Sequence, residues 1–112
     1  MKIIYGSRQS GRTTELIKMC AQDNYSLIVC PSRPMCEAVF KLSQELGYKI
    51  PMPITFREFS RGLYSSIYVD KFYFDNLETC LEGCCSGGPI GAVALNSEKS
   101  EIIELKKQKN QD

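Results

Sequence analysis

Residues 1–14 read MKIIYGSRQSGRTT. Met1-Lys2-Ile3-Ile4-Tyr5 is an apolar run of strand length, Gly6-Ser7-Arg8-Gln9-Ser10-Gly11 is a loop bounded by glycines, and Arg12-Thr13-Thr14 opens a helical pattern. A strand that turns through such a loop into a helix aims the loop amides and the positive end of the helix at one place, where an anion is stabilised. The opening stretch therefore predicts a phosphate cradle at the carboxyl end of the first strand of an α/β fold.

The spacing matches the P-loop, or Walker A, pattern G-x-x-x-x-G-K-[ST] at Gly6, Gly11 and Thr13, with Arg12 in the lysine position. In that pattern the N–H groups of Ser7, Arg8, Gln9, Ser10, Gly11, Arg12 and Thr13 wrap the phosphates of ATP or GTP. The Thr13 hydroxyl meets Mg²⁺, and Thr14 supports the α-phosphate side. A guanidinium is larger, planar and bidentate where an ammonium is compact, so Arg12 is expected to preserve binding better than turnover. The alternative is a glycine-rich turn that only joins strand to helix.

Beyond the loop, residues 13–22 read as a helix with Leu16, Ile17 and Cys20 on one face. Residues 25–30 (YSLIVC) form an apolar strand stopped by Pro31-Ser32. Met35, Ala38, Val39, Leu42 and Leu46 then recur at helical spacing until Gly47. Pro51 and Pro53 bracket a loop before a weak strand at Ile54-Thr55-Phe56, and residues 57–61 make a short helix ended by Gly62. Residues 67–74 (IYVDKFYF) read as a strand, residues 77–84 as a helix, Ser86-Gly87-Gly88-Pro89 as a turn, and residues 90–95 (IGAVAL) as a last buried strand. Residues 98–107 read as a charged helix whose tip, residues 106–112, is polar enough to fray. The alternation predicts a three-layer fold: a parallel sheet of about five strands with helices on both faces.

With 112 residues the chain is expected to be one small domain, without the second lobe of many nucleotide motors. The net charge of +1 gives no electrostatic case for nucleic acid. No apolar run is long enough to span a membrane, and no signal-like segment opens the chain, so a cytoplasmic protein is expected. Six cysteines and no histidine are present. Cys20, Cys30 and Cys36 lie in apolar periodic segments, where cysteine behaves as a small hydrophobe. Cys80, Cys84 and Cys85 lack the paired spacing of a zinc knuckle.

Magnesium at such a cradle also needs a carboxylate from the end of a later strand. Asp70 and Asp75 compete. Asp70 interrupts an apolar run that continues through Phe74, whereas Asp75 ends it, and strand ends are where ligands of parallel sheets bind. Asp75 is favoured, its alternative role being the N-cap of the next helix. The residue after it is Asn76, so an adjacent second acid is missing; Glu78 lies a turn further on.

In their order these parts resemble the nucleotide-binding half of helicase-like P-loop NTPases. The Gly6-to-Thr13 loop resembles Walker A, Cys30-Pro31-Ser32-Arg33-Pro34 the segment after the second strand, and Phe72-Tyr73-Phe74-Asp75-Asn76 Walker B. Asn96 falls where such proteins place a polar sensor. More narrowly, the chain is similar to small single-domain phage-encoded P-loop proteins that begin G-x-R-Q-x-G-K-T-T. The resemblance implies a P-loop domain over residues 1–97 followed by a charged C-terminal helix or tail over 98–112. It also implies binding of ATP or GTP with Mg²⁺ held by Thr13 and Asp75, hydrolysis that is slow at best, and a place in the cytoplasm, that of the host if the chain is phage-encoded. The rival expectation is a non-enzymatic interaction protein that uses the fold as a scaffold for a host or viral partner. A nucleic-acid module, with Tyr5 and Tyr48 as stacking rings, is the weakest of the three.

Overall fold

The computed structural model describes residues 1–7, 9–64, 68–85 and 88–106. In chain order they form β1 (Lys2–Gly6), α1 (Arg12–Gln22), β2 (Ser26–Cys30), α2 (Arg33–Leu46), β3 (Ile54–Thr55), α3 (Phe56–Ser60), β4 (Lys71–Phe74), α4 (Leu77–Cys84), a 3₁₀ turn (Ser97–Lys99) and β5 (Glu101–Leu105). The chain divides into two units, Met1–Arg12 with Gly91–Asp112, and Thr13–Ile90. Among the expectations above, those on Arg8, Ile67, Ser86, Gly87 and residues 107–112 lie outside the described residues.

In the unit Thr13–Ile90, β2 is the central strand of a parallel sheet ordered β3-β2-β4. Its sequence SLIVC carries no charge and is buried at every position, as a strand covered on both faces must be. Successive side chains leave opposite faces. Ile28 and Cys30 join Ile17 and Cys20 of α1, Cys36 and Val39 of α2, and Ile50, with Tyr73 of β4 packed against them. Leu27 and Val29 stand in register with Phe72 and Phe74 on the other face. There Phe59 of α3 meets both phenylalanines edge-on, with ring centroids 5.0 Å apart in each pair. The one buried hydroxyl that opens β2, Ser26, is satisfied by donating to the Cys20 carbonyl at 3.1 Å.

The ends of α2 follow from its sequence. Pro34 stands in the first turn, where a missing N–H costs nothing. At the far end Gly47 adopts φ 82°, its N–H donating to the Gln44 carbonyl (3.1 Å) while the Tyr48 N–H donates to that of Ser43 (2.9 Å), a Schellman motif. The buried stripe is Cys36, Val39 and Ser43, while Ala38 and Leu46 are exposed, so the helix is rotated by about a residue from the expected face. Ser43 can lie inside because its hydroxyl donates to the Phe40 carbonyl at 2.6 Å.

In the other unit, β1 and β5 pair in parallel, from Lys2 opposite Glu101 to Gly6 opposite Leu105. Two expectations are corrected here. Residues 90–95 form no strand, and residues 91–95 are exposed, because Gly91, Ala92 and Ala94 bring little side chain to a pleated surface. Residues 98–106 form no α-helix: a 3₁₀ turn is followed by β5, whose adjacent β-branched Ile102 and Ile103 favour a strand that β1 can pair. Among the described residues the strands number five, but they are divided between a two-stranded and a three-stranded sheet where the sequence suggests one. No helix among the described residues is long and apolar enough to cross a membrane.

Candidate functional site

The glycine loop follows β1, and its conformation is set by residues that accept unusual geometry. Gln9 and Gly11 have φ of 64° and 90°. Glycine enters that region without cost, whereas a glutamine there is strained, and such strain collects at functional loops. The Ser10 N–H donates to the Ser7 carbonyl at 3.2 Å and closes a turn. Gly6 is required for a different reason: a Cβ there would lie 2.4 Å from Ser10 Oγ and 2.9 Å from the Leu105 carbonyl oxygen. The loop therefore folds back on the strand it leaves.

Ser10 is 5% exposed, and its hydroxyl is a buried side-chain oxygen with no hydrogen-bond partner among the described residues. Buried hydroxyls are nearly always paired, so this one marks a place where a polar group belongs. Ser7 and Gln9 are exposed, while Gly11, Arg12, Thr13 and Thr14 are half-buried.

In the unit Thr13–Ile90, Thr13 stands in the first turn of α1 and its Oγ1 donates to both oxygens of Asp75, at 3.2 and 3.3 Å. Asp75 immediately follows β4 and is 4% exposed. Its N–H donates to the Val29 carbonyl at 2.9 Å, which continues the β2–β4 ladder and fixes the carboxylate at the strand's carboxyl end. Asn76, at φ 52°, takes the N-cap position of α4. Asp70 stands at the opposite end of β4, exposed, its N–H donating to the Tyr25 carbonyl at 2.6 Å. Of the two acids considered from the sequence, Asp75 alone is brought to Thr13.

Two buried thiols lie near Asp75. The Cys80 thiol donates to the Asp75 carbonyl at 3.8 Å, and burial, then the negative charge of Asp75, push its pKa up to about 11. Burial, the neighbouring Cys36 thiol and Asp75 push Cys30 up further still. These are protonated, inert side chains at neutral pH. No group of three or more His, Cys, Asp or Glu side chains capable of holding a metal occurs among the described residues. Thr13 and Asp75 are a hydroxyl and a carboxylate, a hard-oxygen pair suited to a Mg²⁺ that takes its other ligands from phosphates and water.

Asn96 is exposed, and its side-chain oxygen accepts from the Glu98 N–H at 3.0 Å, capping the 3₁₀ turn. The sequence reading overlooked the cluster beyond β2 and β3. Thr55 and Glu58 form a reciprocal capping box at α3, with Glu58 N–H to Thr55 Oγ1 at 3.0 Å and Thr55 N–H to Glu58 Oε1 at 2.9 Å, and Arg33 Nη2 lies 2.6 Å from Glu58 Oε1. The signal was present as T-x-x-E at residues 55–58. Comparison with protein-family models, with curated proteins and with solved structures returns no match.

Proposed function

We propose that this chain is a small P-loop protein that binds ATP or GTP together with Mg²⁺ and turns it over slowly, if at all. The observation that carries the reading is the Thr13–Asp75 hydrogen bond. A hydroxyl from the helix that follows a glycine loop, held against a buried carboxylate from a strand's carboxyl end, is the protein's share of a magnesium–phosphate site. The orphaned Ser10 hydroxyl and the left-handed Gln9 and Gly11 support the same loop as a cradle. The architecture proposed with it is the three-layer parallel α/β fold of P-loop proteins.

Slow turnover follows from the residues that surround this core. Arg12 brings a positive charge to the phosphates, but its guanidinium cannot take the position of a lysine ammonium. Asn76 follows Asp75 and brings no carboxylate to orient a water. Bound Mg²⁺ would supply charge neutralisation of the β- and γ-phosphates. What this chain's own residues then do is hold and orient: amides and Arg12 on the phosphates, Thr13 and Asp75 on the metal's shell.

The test is thermal or chemical denaturation with and without millimolar nucleotide and Mg²⁺. Nucleotide at one hundred times its dissociation constant adds about 2.7 kcal/mol of stability. Gly11→Val, which forces a β-branched residue into φ 90°, abolishes that gain. An unchanged transition in every nucleotide overturns the reading.

A further inference from the structure

At the carboxyl ends of β1 and β5 lies a cavity of about 360 Å³ lined by Tyr5, Gly6, Ser7, Glu104, Leu105 and Lys106. All six belong to one of the two units. The volume falls in the range of small-molecule sites, and the place, beyond the carboxyl ends of parallel strands, is where α/β sheets take ligands. Gly6 and Ser7, which begin the glycine loop, form one wall. Tyr5 and Glu104 stand opposite each other in the β1–β5 register, so their side chains leave the same face of the pair. Tyr5 is 66% exposed, so its ring is accessible. The lining residues thus include an exposed tyrosine, a glutamate and a lysine beside the start of the loop.

We propose that this cavity receives the nucleoside end of the bound nucleotide and that it favours guanine; the inference rests on the nucleotide-binding reading above. The Tyr5 ring supplies a stacking surface, which every base can use. Selection comes from the two charged groups. Guanine presents an acceptor, O6, followed by the donors N1–H and N2–H along one edge, whereas adenine offers on the same edge a single amino donor beside a bare ring nitrogen. A carboxylate accepts two parallel N–H donors at once, and an ammonium serves the neighbouring carbonyl, so Glu104 and Lys106 together match guanine and only half-match adenine.

The experiment is titration calorimetry of the full chain with GTP, ATP and inorganic tripolyphosphate, each with Mg²⁺, for the parent and for Tyr5→Ala and Glu104→Gln. Tripolyphosphate reports the phosphate cradle without a nucleoside. The parent is expected to bind GTP at least about tenfold more tightly than either ATP or tripolyphosphate, the size of one stacking or bidentate contact. Glu104→Gln should bring GTP to the level of ATP, and Tyr5→Ala should lower both nucleotides toward tripolyphosphate, with tripolyphosphate itself unchanged in either variant. Equal binding of GTP and tripolyphosphate, a preference for ATP, or variants that leave the GTP advantage intact overturn the cavity's role while leaving the cradle standing. Failure of all three ligands to bind overturns the cradle, and the cavity's role with it.

Discussion

Thr13 and Asp75, 62 positions apart in the chain, meet through one hydroxyl that donates to both oxygens of a buried carboxylate. Neither residue is placed by its own preferences. Thr13 is carried by the first turn of α1, and Asp75 is carried by the β2–β4 ladder, which its N–H extends. Removing the hydroxyl while keeping the shape therefore tests the pair without dismantling either element. Thr13→Val is expected to cost about 1 to 3 kcal/mol, because a buried acceptor loses one of its donors. It should also abolish the part of nucleotide-induced stabilisation that depends on Mg²⁺. Urea denaturation with nucleotide, in Mg²⁺ and in a chelator, measures both effects. An unchanged Mg²⁺ increment would sever the pair from the metal.

Two glycines should respond differently to alanine, since they are needed for different reasons. At Gly6 the added Cβ runs into Ser10 Oγ and the Leu105 backbone oxygen, and a strand carbonyl cannot swing aside as a long side chain can. Gly6→Ala is expected to cost about 1 to 3 kcal/mol and to displace the loop, with nucleotide affinity falling alongside stability. At Gly47 nothing lies within 4 Å of the added atom, and the penalty is the left-handed φ of 82° alone. Gly47→Ala should cost about 1 kcal/mol and leave nucleotide affinity unchanged. Denaturation midpoints together with binding isotherms separate the two.

The cap at α3 carries a pH dependence with a definite sign. The Thr55 backbone N–H, with Arg33 and the Thr55 hydroxyl adding to it, holds the Glu58 carboxyl below its ordinary value of 4.5. A carboxyl whose folded pKa is lowered contributes stability that is complete above its unfolded value and is lost as pH falls through the folded one. The stability difference between the parent and Glu58→Gln should therefore be widest at about pH 6 and shrink below about pH 4. Thr55→Ala, which removes the reciprocal partner, should cost about 1 kcal/mol at neutral pH. A Glu58→Gln deficit that stays constant down to acid pH would show that the carboxylate's charge contributes nothing there.

The thiols divide by burial. Cys84 and Cys85 are exposed, whereas Cys20, Cys30, Cys36 and Cys80 are buried, and burial raises the pKa of each of those four. The thiolate is the reacting species, so both access and ionisation protect the inner group. Native protein treated with a thiol reagent at neutral pH is expected to modify at Cys84 and Cys85 quickly and at the other four only as fast as the chain opens. Peptide mapping by mass spectrometry reads the sites directly. Rapid labelling of Cys30 in native protein would contradict the closed core around β2.

Much of this arrangement could be read from single segments, and the rest depended on partners no segment reveals. The buried SLIVC run, the turn at Gly47 and the end of the aromatic run at Asp75 each announce themselves locally, through continuous apolarity, a left-handed cap and a change of polarity. Asp75 was preferred over Asp70 on that ground, and the structure sets Asp75 at the carboxyl end of β4 and Asp70 at the other. Residues 90–95 and 98–107 misled for a common reason. Apolar content suggested a strand in the first and charge suggested a helix in the second. What decides strand formation is a ladder partner, and β1 pairs with the Ile102-Ile103 segment. The face of α2 was off by about a residue because a serine was not considered a core side chain, although Ser43 satisfies its hydroxyl within its own helix. Comparison of strand partners requires the whole chain, which periodicity within a window does not see.

On the proposed nucleotide-binding reading, Arg12 is the residue on which turnover would depend. A lysine at this position delivers a compact ammonium on a flexible stem to the β- and γ-phosphates, and phosphoryl transfer is accelerated almost entirely by such positioned charge. A guanidinium delivers the same charge spread over a larger plane, which serves binding but not the close approach to charge that builds up in the transition state. Arg12→Lys is thus expected to raise the hydrolysis rate of bound nucleotide by about tenfold or more while changing its dissociation constant little. Single-turnover phosphate release, measured beside calorimetric binding, reads the two quantities apart. The gain should vanish when Thr13→Val is added, since a lysine ammonium would act on phosphates that the metal no longer aligns. If Arg12→Lys hydrolyses no faster than the parent, slow turnover as proposed would need another origin, and Asn76, which brings no acid beside Asp75, becomes the residue to change next.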